Sequence, residues 1–71
     1  MLRRAKMYNV FVRSWWRDNP SWPNGLEPHA GEKKYIERFL ESEEEAQEMC
    51  QMYNDTHDAG RYSIKAEYEE A

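Results

Sequence analysis

The chain has a single cysteine, Cys50, and no apolar run that approaches the roughly 20 residues of a membrane span. One cysteine excludes an intramolecular disulfide and provides too few thiolates for a structural zinc site. The sequence after residues 1–6 is mixed and polar, whereas a signal peptide would continue with an apolar segment. These absences predict a cytoplasmic protein in a reducing environment, with no membrane segment.

Aliphatic residues are also scarce, because hydrophobic residues make up 39% of the 71 residues and aromatic ones alone make up 14%. A chain this short buries only about 60% of the surface that its unfolded form exposes, which limits it to one core. We therefore expect a single domain over residues 1–71 whose core depends on aromatic side chains. So short a chain also leaves little room for a concave pocket of a few hundred Å³.

The first half of the sequence predicts two strands separated by a long loop. Residues 7–14 alternate, with Tyr8, Val10 and Val12 on one face, which is typical of a half-buried strand. Residues 17–31 contain three prolines and an Asn-Gly pair, a density of breakers that excludes a helix or a central strand and indicates an ordered loop. Residues 33–39 alternate again and predict the second strand.

The second half predicts a helix followed by a third strand. Ser42 precedes three glutamates, as in a capping box, and Ala46, Met49, Cys50 and Tyr53 form one apolar stripe at helical spacing, so we predict a helix over residues 43–55. Residues 61–68 alternate and predict the last strand. The fold class is α+β in the order β-β-α-β: a three-stranded, mostly antiparallel sheet with one helix packed on one face and the first strand in the middle.

Charge is distributed unevenly along the chain, which carries a net charge of −4. Residues 1–38 hold eight Lys and Arg against four Asp and Glu, whereas residues 39–71 hold two against ten. Residues four apart on a helix stand about 6 Å apart, near the phosphate spacing of one nucleic-acid strand. A row of helical carboxylates could therefore mimic nucleic acid and bind a basic protein surface, or it could simply be a solvated face. The residues concerned are Glu41, Glu44, Glu45, Glu48 and Asp55.

The basic half suggests an alternative, in which aromatic rings stack on the bases of single-stranded nucleic acid inside a basic groove. The acidic total argues against it, since domains that bind nucleic acid by charge are usually basic. A purely structural interpretation is that Trp15 and Trp16 cover the two faces of the sheet and that Trp22 folds back onto the core. The residues of this alternative face are Arg13, Trp15, Trp16, Arg17 and Trp22.

The sequence contains few candidate catalytic residues. Cys50, His57 and Asp55 are the residue types of a nucleophilic triad, but Cys50 belongs to the apolar stripe, which predicts a buried, unreactive thiol. One Cys, two His and scattered carboxylates show no metal-binding spacing. We predict a protein that is not an enzyme and that needs no metal or other cofactor.

The stretches that carry a resemblance are Ser42 to Ala46, Cys50, Tyr53-Asn54, His57, Gly60, Ser63 to Glu67 and the upstream Trp-Pro-Asn-Gly-Leu-Glu-Pro segment. With them, the overall character of the chain resembles the small uncharacterised proteins of bacteriophages and prophages. Many small acidic phage proteins inhibit host defence, anti-CRISPR proteins among them, so the resemblance implies a protein-binding inhibitor. It rests on general character, and no functional residue is carried over from it.

Three functions follow as hypotheses. The first is a non-enzymatic inhibitor that places its acidic helix face against a basic, nucleic-acid-binding surface of a protein partner. The second is single-stranded nucleic-acid binding through the basic, Trp-rich strand and loop. The third is an accessory or assembly protein that works as a homodimer through an edge of the sheet.

Overall fold

A computed structural model describes residues 6–71, which form one helix and five strands. Three of the strands build an antiparallel sheet in the order β4-β1-β5, and the other two, β2 and β3, pair with each other in a separate sheet. The α+β prediction is confirmed, with β1 between two antiparallel neighbours. The elements are β1 (Tyr8–Arg13), β2 (Trp16–Asp18), β3 (Leu26–Pro28), β4 (Lys34–Leu40), α1 (Glu43–Thr56) and β5 (Lys65–Glu70).

The core lies between the sheet and α1, as the apolar stripe predicts. Alternate residues of β1 face the helix, and Val10 is completely buried there. Because the surrounding side chains are small, helix and sheet approach closely. The buried cluster consists of Val10, Val12, Ala46, Cys50 and Ala66, with Tyr8, Leu40, Met49 and Tyr53 packed against it.

The ends of α1 agree with the prediction to within one residue. Ser42 is the N-cap, and its hydroxyl accepts a hydrogen bond from the backbone N–H of Glu45 at 3.2 Å. The helix ends at Thr56, and the N–H of His57 closes the last turn on the carbonyl of Tyr53 at 3.0 Å. Residues 6–71 contain no helix that is long and apolar enough to cross a membrane.

The prediction of a strand over residues 61–68 is wrong at both ends, since β5 spans Lys65–Glu70. Gly60 and Ser63 have positive φ values of 68° and 52°, which fold the chain into a turn. That turn is closed by a hydrogen bond from the N–H of Ile64 to the carbonyl of Ala59 at 2.9 Å. The alternation of this stretch therefore begins in a turn, while the pairing with β1 continues to Glu70.

The predicted loop over residues 17–31 is partly a β-hairpin. In β2 and β3, Trp16 pairs with Pro28 and Asp18 pairs with Leu26. The connecting turn is closed by a hydrogen bond from the N–H of Asn19 to the carbonyl of Gly25, whose φ is 71°. The density of breakers predicts no central strand, and that holds because each strand of a two-stranded sheet is an edge that tolerates proline.

The edge strand β4 departs from regular pairing with β1, starting one residue later than the predicted 33–39 and ending one residue later. Two register shifts interrupt the ladder. Within the irregular part Phe39 has a φ of 60°, and its N–H donates to the side-chain oxygen of Asn9 at 3.1 Å. Asn9, a buried polar residue, thus satisfies a backbone group that the bulge turns away from regular pairing.

Candidate partner-binding surfaces

Part of the predicted acidic helix face is formed on the solvent side of α1. At about 100° per residue, Glu44, Glu48 and Asp55 lie opposite the buried Ala46 and Cys50. Glu45 lies at one side of this face and is also exposed, whereas Glu41 precedes the helix and belongs to the link from β4. The structure thus brings Glu44, Glu48 and Asp55 onto one surface and leaves Glu41 apart from it.

The carboxylates of α1 have no cationic partner among residues 6–71, whereas most carboxylates of the sheet and hairpin have one. Among residues 6–71, every ion pair joins groups outside the helix, and the last turn of α1 carries no basic residue. The excess negative charge of the domain is therefore concentrated on α1. The ion pairs are Lys6–Glu70, Arg13–Glu67, Arg17–Glu27, Lys33–Glu69 and Arg61–Asp18.

The three tryptophans lie at the surface. Trp15 is 37% exposed, Trp16 in β2 is 36% exposed, and Trp22 in the hairpin turn is 45% exposed. The expectation that Trp22 folds back onto the core is wrong. The turn that carries Trp22 is closed by its own backbone hydrogen bonds, in which the N–H of Trp22 donates to the carbonyl of Asn19 at 3.0 Å.

The arginines of the alternative nucleic-acid face are engaged by acidic partners. Arg13 is only 17% exposed, with its guanidinium 5.0 Å from the ring centroids of both Phe11 and Trp15, and its Nε lies 3.9 Å from Glu67. Arg17 pairs across the hairpin with Glu27, and this hydrogen bond holds the pKa of that carboxyl below its usual value. The tryptophans of this face are therefore available to a partner, whereas its positive charge is largely neutralised.

The hairpin is fastened to the rest of the chain through Asp18. The hydroxyl of Tyr62 donates to this carboxylate at 2.7 Å, and Nε of Arg61 donates to it at 3.2 Å. These hydrogen bonds, the one from Tyr62 foremost, lower the pKa of Asp18 from its usual 3.8. A further backbone bond joins the N–H of Trp15 to the carbonyl of Tyr62 at 2.8 Å. The Trp-bearing surface is thus held by defined contacts.

The residue types of the nucleophilic triad do not form a site. Cys50 is buried in the core, and burial raises the pKa of its thiol. His57 lies exposed beyond the helix end, stacked on Tyr53 at a ring distance of 3.9 Å. Within residues 6–71 no three His, Cys, Asp or Glu side chains are grouped so that they could hold a metal ion.

A concave groove exists, contrary to the expectation from chain length. It has a volume of about 430 Å³, and its lining residues are Val12, Arg13, Ser14, Glu32, Lys34, Ile36, Tyr53 and Ile64. The groove arises because α1 packs mainly over β5 and β1 and covers little of β4. Its lining is mostly apolar, and the triad residues Cys50, His57 and Asp55 are not part of it.

Two asparagines, to which the sequence analysis assigned no role, connect neighbouring elements through side-chain hydrogen bonds. Asn9 bridges β4 and β5, since it accepts from Phe39 and donates to Glu69 at 3.3 Å. Asn54, near the end of α1, bonds both backbone groups of Ala66. In the sequence, Asn9 is marked only by being a polar residue within an alternating strand. Asn54 is marked only by being a weak helix former near the end of the predicted helix.

Comparisons with protein families, curated proteins and solved structures found no match to this chain. The resemblance to small phage proteins therefore stays a prediction from general character. Function has to be argued from the surfaces themselves. Those surfaces are the acidic face of α1, the Trp-bearing hairpin and the edges of the sheet.

Proposed function

We propose that this protein is a non-enzymatic protein-binding module that docks the acidic face of α1 on a basic, nucleic-acid-binding surface of its partner. The observation that carries the proposal is the separation of charges: the ion pairs of the part that the structure describes all lie outside α1, while Glu44, Glu48 and Asp55 share its solvent face and belong to none of them. The resemblance to small phage proteins adds an expected role, inhibition of a host defence complex such as a CRISPR effector.

The physical basis is complementarity between opposite charges. Glu44 and Glu48 are four residues apart on the helix, so their side chains repeat at about the spacing of backbone phosphates. Lysines and arginines that neutralise phosphates in a nucleic-acid groove could instead pair with these carboxylates. Because Glu44 and Glu48 have no cationic partner within residues 6–71, binding would break no ion pair in that part of the protein. Such an interface gains rate and specificity from charge and weakens as salt is added.

Reversing the charge at Glu44 and Glu48 tests the proposal. A partner captured from bacterial lysate at about 50 mM salt would be titrated with the E44K/E48K variant, and we expect its affinity to fall by about tenfold or more. The matched control is E32K/E37K, which changes net charge equally at two exposed residues that lie outside α1. Its affinity should change by less than about threefold, because screening limits distant charges.

Equal losses in the two variants would show that only net charge matters. Unchanged binding by E44K/E48K, or binding that stays constant between about 50 and about 200 mM salt, would contradict docking through the acidic face. Both double variants are expected to fold like the wild type, because all four replaced residues are exposed.

Single-stranded nucleic-acid binding is a second candidate, favoured by the exposure of all three tryptophans. Base stacking on Trp16 and Trp22 predicts quenching of tryptophan fluorescence by an oligothymidine and an affinity loss of about tenfold or more for W16A/W22A. M52A, which changes an exposed apolar residue of α1, serves as the control and should bind like the wild type. Absence of quenching at low salt would rule this candidate out.

A further inference from the structure

The outer edge of β5 offers unpaired backbone groups. The order β4-β1-β5 places β1 on one side of this strand and no strand of residues 6–71 on the other. The N–H of Ala71 donates to the carbonyl of Met7 at 2.7 Å, so the odd-numbered residues of β5 are those that exchange hydrogen bonds with β1. The N–H and C=O groups of Ala66, Tyr68 and Glu70 consequently point away from the sheet.

Asn54 already occupies the first position of this edge as a neighbouring strand would. Its Nδ2 donates to the carbonyl of Ala66 at 3.1 Å, and its Oδ1 accepts from the N–H of the same residue at 2.8 Å. No comparable contact within residues 6–71 reaches the outward backbone groups of Tyr68 and Glu70. The edge is therefore capped at one end and open over Tyr68 to Glu70.

The two edges of the sheet are not equivalent. The ladder between β1 and β5 runs through six consecutive residue pairs without a shift, so the open edge is regular. The opposite edge, β4, is interrupted by two register shifts and by the positive φ of Phe39. Bulges and strained residues of this kind prevent strand pairing at an edge. β5 is the edge that can accept a further strand.

The charges beside this edge determine what it can accept. Lys65, Glu67 and Glu69 lie on one face of β5, and Glu70 lies on the other, so carboxylates outnumber cations on this strand by three to one. Oε2 of Glu67 is buried without a hydrogen-bond donor, and its nearest cation is Arg13 at 3.9 Å. The side chain of Glu67 is nevertheless 37% exposed, so lysine or arginine in an added strand, placed opposite Glu67, would pair with this carboxylate from the open side.

A second copy of this chain fits the edge poorly. Antiparallel self-pairing centred on Tyr68 would set Glu67 opposite Glu69 at two symmetry-related positions, and like charges directly opposite each other destabilise a strand pair. Pairing centred on Glu67 would set the two Glu67 side chains against each other and Lys65 opposite Glu69, but its hydrogen bonds would join Ala66 to Tyr68, and Asn54 already occupies the backbone groups of Ala66. The homodimer expected from an open edge is therefore disfavoured, and an extended basic segment is favoured.

We propose that the open edge of β5, from Tyr68 to Glu70, binds an extended segment of a partner protein by β-strand addition, with Lys or Arg at alternate positions of that segment. Backbone hydrogen bonds to Tyr68 and Glu70 would hold the segment, and its basic side chains would meet Glu67 and Glu69. This edge is a different surface from the acidic face of α1, and the proposal does not depend on docking through that face.

The test uses an acetylated and amidated peptide in which Val and Lys alternate over six residues, and a second peptide of the same sequence that is N-methylated at every residue. N-methylation keeps the charge and removes the backbone donors. On the protein, E70P is compared with E70A, because both remove the carboxylate and only E70P removes the outward N–H. Proline is tolerated where the N–H of an edge strand faces solvent.

We expect the first peptide to bind and the methylated one not to bind, and E70P to bind roughly three- to tenfold more weakly than E70A. In the wild type, the peptide should slow amide exchange and shift the NMR signals at Tyr68 and Glu70, which is a readout independent of how well E70P folds. The E44K/E48K variant should bind the peptide within about threefold of the wild type, since its changes lie on another surface.

Several results would overturn the proposal. Equal binding of the two peptides would mean attraction by charge alone. Loss of binding in E44K/E48K together with equal affinity in E70P and E70A would assign the peptide to the helix face, which leaves the proposed function standing. Concentration-dependent dimerisation of the free protein, with protected amides at Tyr68 and Glu70, would assign the edge to a second copy.

Discussion

Replacing Val10 with alanine is expected to lower the free energy of unfolding by about 2 kcal/mol. Val10 is completely buried between β1 and α1, and its neighbours in the core include Ala46 and Ala66. Side chains this small cannot move into the space that two methyl groups leave, because their backbones already lie close to one another. The cavity therefore persists, and the cost combines lost burial with lost packing.

The loss expected for V10A is large relative to the total free energy of unfolding, since a domain of this size is stabilised by only about 5 kcal/mol. Urea unfolding followed by circular dichroism should show a lower midpoint at an unchanged slope. The control is M52A, at a residue of α1 that is 69% exposed, where we expect a change within about 0.5 kcal/mol. Similar losses in V10A and M52A would contradict the assignment of the core to the β1–α1 interface.

Replacing Asn9 with alanine is the second change with a large expected effect, a loss of about 1–3 kcal/mol. Asn9 is buried, accepts the N–H of Phe39 at 3.1 Å and donates to Glu69 at 3.3 Å. Alanine leaves that N–H in the bulge without an acceptor. It also removes one of the donors that, with the hydrogen bond from Lys33 foremost, lower the pKa of Glu69.

The measurement is again urea unfolding, with F39G as the comparison. Glycine adopts a φ of 60° without strain, so F39G should unfold at the same or a higher urea concentration than the wild type, although it removes a large side chain that is mostly exposed. If N9A were as stable as the wild type, the hydrogen bonds of Asn9 would not be what holds the bulge of β4.

The parts of the fold that could be predicted from the sequence are those governed by near neighbours in the chain. The N-cap at Ser42 and the apolar stripe of α1 depend on residues three and four apart, and both agree with the structure. The alternation of β1 likewise identifies Val10 and Val12 as core residues. Where local signals conflict, as in the turn at Gly60 and Ser63, alternation alone gave the wrong boundary for β5.

The candidate surfaces also include features that the sequence predicts and features that it does not. Helical periodicity alone predicts that Glu44, Glu48 and Asp55 share a face opposite the core, and the structure agrees. It does not predict that Trp22 stays at the surface, because that depends on the hydrogen bonds that close the hairpin turn. The prediction that aromatic side chains carry the core also fails in part, since all three tryptophans are exposed by a third or more.

The sequence by itself determined a helix with an acidic outer face and a sheet with β1 at its centre, because these follow from short repeats and from chain order. Only the tertiary structure decided which charges remain free and which edge remains open. Lys33 and Glu69 are 36 residues apart in the chain, yet they form an ion pair across the sheet. Pairings of that kind depend on register between distant strands, which no local pattern encodes.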